Sequence, residues 1–264
     1  MEDPLVPRPA ATVMLVRDTD EGIKIFLMRR HSAMDFVAGV MVFPGGGVDD
    51  RDRNADIAWH GPDKDWWGER LGTDADLAEA LVCAAARETF EECGVLFAGA
   101  ADDPDLLVDD ASSYRDYRAA LVSKELSFGE FLRREKLMLR ADLLRPWANW
   151  VTPKEERTRR YDTYFFVGAL PDGQLADGEN TESDQADWIT PEAALADFSA
   201  ERTFLLPPTW TQLDALAGRT VAEVLAVERR IVPISPNMSM IDGNLEFEFF
   251  DGARYNQALR GRTP

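Results

Sequence analysis

The chain has 264 residues, with 48 acidic against 29 basic side chains, a formal net charge of −19 and a hydrophobic share of 45%. That share, which includes seven Trp and 14 Phe, suits one sizeable core and excludes wholesale disorder. The charge excludes nucleic acid as a direct partner, because phosphate backbones are held by basic surfaces, and no run approaches the roughly 18 apolar residues of a membrane span.

In chain order, residues 11–16 and 23–28 are β-rich apolar runs joined by residues 18–22, which predicts a hairpin. Residues 37–43 form a third run that stops at Pro44 and three glycines. Residues 49–72 are rich in Asp, Arg, Gly and Trp without a period; an inserted loop, about 48–73, is expected there, partly anchored by Trp59, Trp66 and Trp67. Thr73 or Asp74 is placed to cap the helix that follows. After an acidic connection at 100–112, the composition of 114–144 predicts a helical insert, about 113–145, with a capping box at Ser127 and Glu130.

Strand character returns at 150–153 and 161–170, and Pro171-Asp172-Gly173 is a turn. Thr190 and Pro191 open a short helix, Thr220 and Glu223 make another capping box, and residues 238–250 predict a late hairpin around Asp242-Gly243-Asn244. The whole of 1–264 is expected to be a single domain with these two elaborations. Two cysteines, Cys83 and Cys93, are too few for a disulfide framework, and the N-terminal MEDPLVPRPA is unlike a secretory signal; a reducing cytoplasm is the expected location.

The stretch EALVCAAARETFEECGV, residues 79–95, carries the chemistry. In a helix, Glu88, Glu91 and Glu92 fall at i, i+3 and i+4 on one side. Val82, Ala86, Phe90 and Cys93 fall on the other, the pattern of a half-buried helix. Like charges at that spacing oppose folding by roughly 0.2–0.5 kcal/mol per pair. A hard divalent ion such as Mg²⁺ would compensate them with its demand for carboxylate oxygens; a solvated acidic face is the plain alternative in so acidic a chain.

The order Glu79, Arg87-Glu88, Glu91-Glu92, Gly94, Val95 resembles the Nudix hydrolase box, whose family cleaves nucleoside diphosphates linked to another moiety. The family pattern opens with a glycine six residues before its first Glu, usually in a Pro-Gly-Gly turn. The matching turn here is FPGGG, residues 43–47, so that 33 positions separate Gly46 from Glu79 and about 27 residues are inserted inside the box. Residues 28–50 look like the same region of the coenzyme A diphosphatase branch, and the peroxisomal Nudix-type 19 group also carries a long insertion inside its box. Trp150-Val-Thr-Pro153, Arg160-Tyr-Asp-Thr163 and Leu205 to Leu216 extend the likeness. Against a related coenzyme A signature, Arg30, Gly39 and residues 43–46 fit, whereas His31 and Asp35 depart from it.

The resemblance implies an α+β fold, a Nudix α/β/α sandwich with a mixed sheet. It implies Mg²⁺ or Mn²⁺ held by Glu88, Glu91, Glu92 and the Gly46 carbonyl, with Glu91 a ligand or a participant in deprotonating water. Arg87 would pair with Glu79 or orient Glu88, and Ala84 and Ala85 would leave room for a phosphate. Glu179 and Glu182 are candidates for a further carboxylate. Arg29, Arg30, Arg160, Gly45 and Gly46 are the candidate substrate contacts. The implied partner is a small-molecule nucleotide conjugate, coenzyme A or an acyl-coenzyme A by preference. ADP-ribose, NADH, a nucleotide sugar, or a non-catalytic nucleotide-binding regulator are the alternatives. Relatives are often homodimers, so a second copy is an allowed partner; a membrane and nucleic acid are not expected.

Overall fold

The computed structural model describes residues 5–31, 39–53, 56–180 and 183–261. The first hairpin forms as expected: β1 (Arg8–Thr19) pairs antiparallel with β2 (Gly22–Arg30), and Gly22 takes a φ of 104° at the turn. β3 (Met41–Val42) pairs with β2, and β4 (Gly45–Gly47) pairs with β1 in the register Ala11 to Gly46. The glycines expected to end a strand are therefore themselves a strand. At Gly45 the close approach to β1 requires a glycine, since a Cβ there would sit 2.4 Å from the Ala11 carbonyl oxygen.

The segment expected as an inserted loop is structured. It holds a 3₁₀ turn (Asp50–Asp52), β5 (Trp59–His60) and α1 (Lys64–Leu71), which ends on Gly72 in the left-handed region. Its Trp67 is fully buried, with ring centroids 5.0 Å from Trp66 and 5.8 Å from Phe166. Truncating such an aromatic costs roughly 3–5 kcal/mol, so the insert belongs to the core. The carboxylate helix α2 (Ala75–Cys93) follows. Asp74 rather than Thr73 is its cap, accepting from the Leu77 N–H, and Gly94 closes its other end at a φ of 73°.

Beyond β6 (Ala98–Ala100) come α3 (Arg115–Val122) and α4 (Phe128–Arg134), the latter opened by the Ser127–Glu130 capping box. The expected helical insert then turns into a strand, β7 (Leu137–Arg140), because all four of its side chains are buried in a small sheet, order β5-β7-β6. That sheet joins the two inserts.

The remaining elements are β8 (Leu144–Val151), β9 (Tyr161–Ala169), β10 (Ser183–Ile189), α5 (Pro191–Ser199), α6 (Pro207–Leu216) and α7 (Val221–Leu225). They are followed by β11 (Pro233–Ile234), the hairpin β12 (Asn237–Ile241) and β13 (Asn244–Glu248), and α8 (Gly252–Arg260). The main sheet runs β10-β2-β1-β9-β8-β11 and is mixed, since β1–β9 and β8–β11 are parallel and the others antiparallel. β1 alternates across it. Val13 and Leu15 enter one core with Trp67, Phe90 and Phe166, while Met14 and Val16 enter a second with Phe198, Trp210 and Tyr255. Both faces are thus covered by helices, the expected α/β/α sandwich.

Candidate active site

β4 lies directly under the carboxylate helix. A Cβ on Gly46 would fall 2.5 Å from Glu88 Oε1, and the Gly45 N–H donates to Glu92 Oε2 at 2.6 Å. Gly46 matters here because any side chain on it would occupy the place of the Glu88 carboxylate. Gly46→Ala is expected to lower turnover about tenfold, through displacement of the flexible Glu88 tip, with little change in unfolding midpoint. Steady-state kinetics beside a thermal melt checks this.

Arg87 is the organising cation. Its Nε and Nη2 donate to the two Asp52 oxygens, both at 2.9 Å, its Nη2 also donates to the Gly47 carbonyl at 2.9 Å, and its Nη1 reaches Glu88 at 2.7 Å and Glu91 at 3.3 Å. Burial alone would lower the Arg87 pKa, but Asp52, Glu88 and Glu91 outweigh it and raise the value above its ordinary one. Glu88 is affected in the opposite sense. Its desolvation outweighs the pull of Arg87, and with Glu91 nearby its carboxyl is pushed up to about 7; Glu91 moves up as well, for the same first cause. A bound cation would reverse both shifts.

The end of α2 is fixed from outside. Arg118 on α3 donates from Nε to the Glu91 carbonyl at 3.0 Å and pairs with Asp177 at 2.8 Å, while Asn180 donates to the Glu92 carbonyl at 2.9 Å. These contacts hold the last turn, and with it Glu91 and Glu92, at the lip of a cleft of about 1090 Å³. Glu88, Glu91, Glu92, Arg30, Gly45, Gly46 and Glu179 all line it. Nine of its described lining residues are basic and six acidic, the reverse of the chain as a whole.

Other expected residues lie elsewhere. Glu79 faces Lys64 on α1 at 3.9 Å and makes no contact with Arg87, so the acid that holds Arg87 is Asp52, missed in the sequence. The signal was present: Asp52 stands six residues after Gly46, the spacing of the family's first acid, so the insertion follows that acid instead of preceding it. Arg29 is paired with Asp184 at 2.6 Å on the outer strand pair, outside the cleft. Arg160 is buried, its guanidinium donating to the carbonyls of Thr152, Pro153 and Leu5; it is a backbone clamp. Ala84 and Ala85 are fully buried in the first core and leave no room for a phosphate. Glu179 pairs with Arg115 at 2.9 Å, and Glu182 lies outside the described residues.

The donors suit a hard divalent cation in type and location: three carboxylates and a glycine strand meet at one lip. Gly46 in particular opens the space beside Glu88 that a side chain would fill. As they stand, no three acidic, histidine or cysteine side chains among the described residues converge closely enough to hold a metal, because Arg87 and the Gly45 N–H hold the carboxylates.

A family model described as the NUDT19 Nudix domain matches residues 67–216. The chain is 25% identical over 225 residues to a Xenopus laevis protein named acyl-coenzyme A diphosphatase NUDT19, covering 73% of this chain and 59% of the relative. The human protein of the same name is 26% identical over 231 residues, covering 75% and 61%. The chain thus spans about three fifths of the length of these relatives. Among solved structures, a NUDIX hydrolase from Alicyclobacillus acidocaldarius superposes with a TM-score of 0.68 at 26% identity, covering 85% of this chain and 98% of that one.

Proposed function

The chain belongs to the NUDT19 Nudix domain family, and from that membership we propose that it hydrolyses the diphosphate bond of a nucleotide conjugate, coenzyme A or an acyl-coenzyme A by preference. The observation that carries the reading is the placement of Glu88, Glu91 and Glu92 on one cleft wall, against a glycine strand and around a buried Arg87. A pure binder of nucleotides has no use for three mutually repelling carboxylates at its lip. The names of the relatives support the coenzyme A preference.

Mg²⁺ or Mn²⁺ is the cofactor of this reading, held by Glu88, Glu91, Glu92 and the Gly46 carbonyl. When bound, the ion supplies activation of water and neutralisation of charge on the diphosphate oxygens. The chain's own residues do the rest. Arg87 and Asp52 keep Glu88 and Glu91 at the lip, the Gly45 N–H orients Glu92, and Arg30 on the cleft wall offers a cation to a substrate phosphate. Glu91 is also placed to take part in removing a proton from water. The cleft, about 1090 Å³, has room for a nucleotide conjugate. Among the described residues no helix is long and apolar enough to cross a membrane.

A substrate panel with product masses tests the reading: coenzyme A, acyl-coenzyme A, ADP-ribose, NADH and nucleotide sugars, each with Mg²⁺, Mn²⁺ and a chelator. Turnover is expected with either metal, highest for the coenzyme A substrates, and lost in the chelator. Metal alone should also raise Tm, because it relieves the carboxylate repulsion, by about 2.7 kcal/mol of stabilisation at a hundredfold excess over Kd. Turnover undiminished by the chelator would sink the assignment.

A further inference from the structure

We propose that Arg8 and Arg159 form an anion subsite at the mouth of the cleft that takes a phosphomonoester carried by the substrate in addition to its diphosphate. The inference rests on the diphosphatase reading and adds the determinant of substrate choice. Both arginines are exposed and line the cleft. The parallel pairing of β1 and β9 sets Arg8 opposite Tyr161, and Arg159 stands two residues before that tyrosine. Their backbones are held in place by the residue between. The Arg160 carbonyl accepts from the Arg8 N–H at 2.9 Å, and its guanidinium ties the Leu5 carbonyl to those of Thr152 and Pro153. Arg160 is buried on these carbonyls, whereas Arg159 next to it is exposed and lines the cleft.

The electrostatics single out this pair. Four of the other arginines around the cleft are held by carboxylates: Arg51 by Asp49, Arg87 by Asp52, Arg115 by Glu179 and Arg118 by Asp177. Arg8 and Arg159 have no side-chain hydrogen bond or ion pair among the described residues, in a chain of net charge −19. Arg53 on the insert is likewise without one, but no strand pairing holds a second arginine beside it. One of these arginines opens β1 and the other lies just before β9, and a phosphate dianion between them would offer both guanidinium groups charge-assisted hydrogen bonds.

Their position also fits a second phosphate better than the scissile one. Ala11 is opposite Gly46, and Arg8 is three residues back along β1, roughly 10 Å from the glycine beneath Glu88. That separation between the two places leaves room for a second phosphate beside the one at Glu88. A nucleotide with a 5′-diphosphate and a phosphomonoester on its ribose spans them, and coenzyme A is a conjugate of that kind.

Titration calorimetry with adenosine 3′,5′-bisphosphate and with AMP, on the wild type and on Arg8→Ala/Arg159→Ala, tests the subsite. The wild type is expected to bind the bisphosphate about tenfold more tightly than AMP, the double variant to bind the two alike, and Arg8→Lys/Arg159→Lys to recover part of the preference. Equal wild-type affinities, or a preference that survives the double alanine change, overturns the proposal. Turnover of coenzyme A is measured separately: its absence alongside an intact, arginine-dependent preference defeats the diphosphatase reading and leaves the subsite standing.

Discussion

Replacing Asp52 by alanine is expected to be among the most damaging single changes in this chain, lowering stability by about 3–5 kcal/mol and turnover by at least a hundredfold. The side chains of Asp52 and Arg87 are 2% and 9% exposed, and their two parallel hydrogen bonds leave the guanidinium no comparable partner if the carboxylate goes. The charge would remain buried and drag on Glu88 and Glu91, which it also holds. The Cys83 thiol lies 3.7 Å from Oδ1 of the same carboxylate. Glu79→Gln is the contrasting variant. Its interaction with Lys64 is half exposed and long, and its loss is expected to change stability by less than about 1 kcal/mol. Urea denaturation of both variants decides between them. A Glu79 variant as damaging as the Asp52 one would mean that Arg87 is positioned by the wrong acid in this structure. Arg87→Met combined with Asp52→Ala should recover part of the lost stability, because no charge is then left unpaired.

Glu88→Gln, Glu91→Gln and Glu92→Gln are each expected to lower kcat by roughly 10²–10³, about 3–4 kcal/mol in the barrier, with unchanged far-ultraviolet circular dichroism. Activity retained by all three would place the chemistry elsewhere. Stability should respond in the other direction for Glu88. Its folded pKa of about 7 lies above the ordinary carboxylate value of 4.5, so the native state binds the proton more tightly than the unfolded one. In the metal-free protein Glu88 therefore contributes a loss of stability as pH rises from about 4.5 to 7. A glutamine there removes the buried charge, so the variant's metal-free Tm at pH 8 is expected to exceed the wild type's by a few degrees, on the order of 1 kcal/mol. A wild type that gains stability over that pH range would show that Arg87 dominates the environment of Glu88 and would remove the basis for this effect. Opposite signs for stability and activity are what a ligand cluster predicts.

Local signals in the sequence were sufficient for what local physics controls. The Asp18–Gly22 turn, the caps at Asp74, Thr190 and Thr220, the Ser127–Glu130 box and the late hairpin are each set by a few neighbouring residues, and all are found where the pattern indicated. The helix carrying Glu88, Glu91 and Glu92 follows from its spacing in the same way. The insert was harder. Trp66 and Trp67 announce burial, but α1 around them has too few turns to display a period, and β7 is a strand only because β5 and β6 flank it.

The partners of charged residues were decided by the tertiary structure alone. Arg160 and Arg159 are indistinguishable as letters; the fold buries one on backbone carbonyls and presents the other to the cleft. Arg87 had acids at many spacings to choose from in a chain with 48 of them. Strand β4, by bringing Gly47 and the turn after it against α2, selected Asp52. Charge acts through distance across the fold, and a sequence orders distance only within a turn or two of the chain.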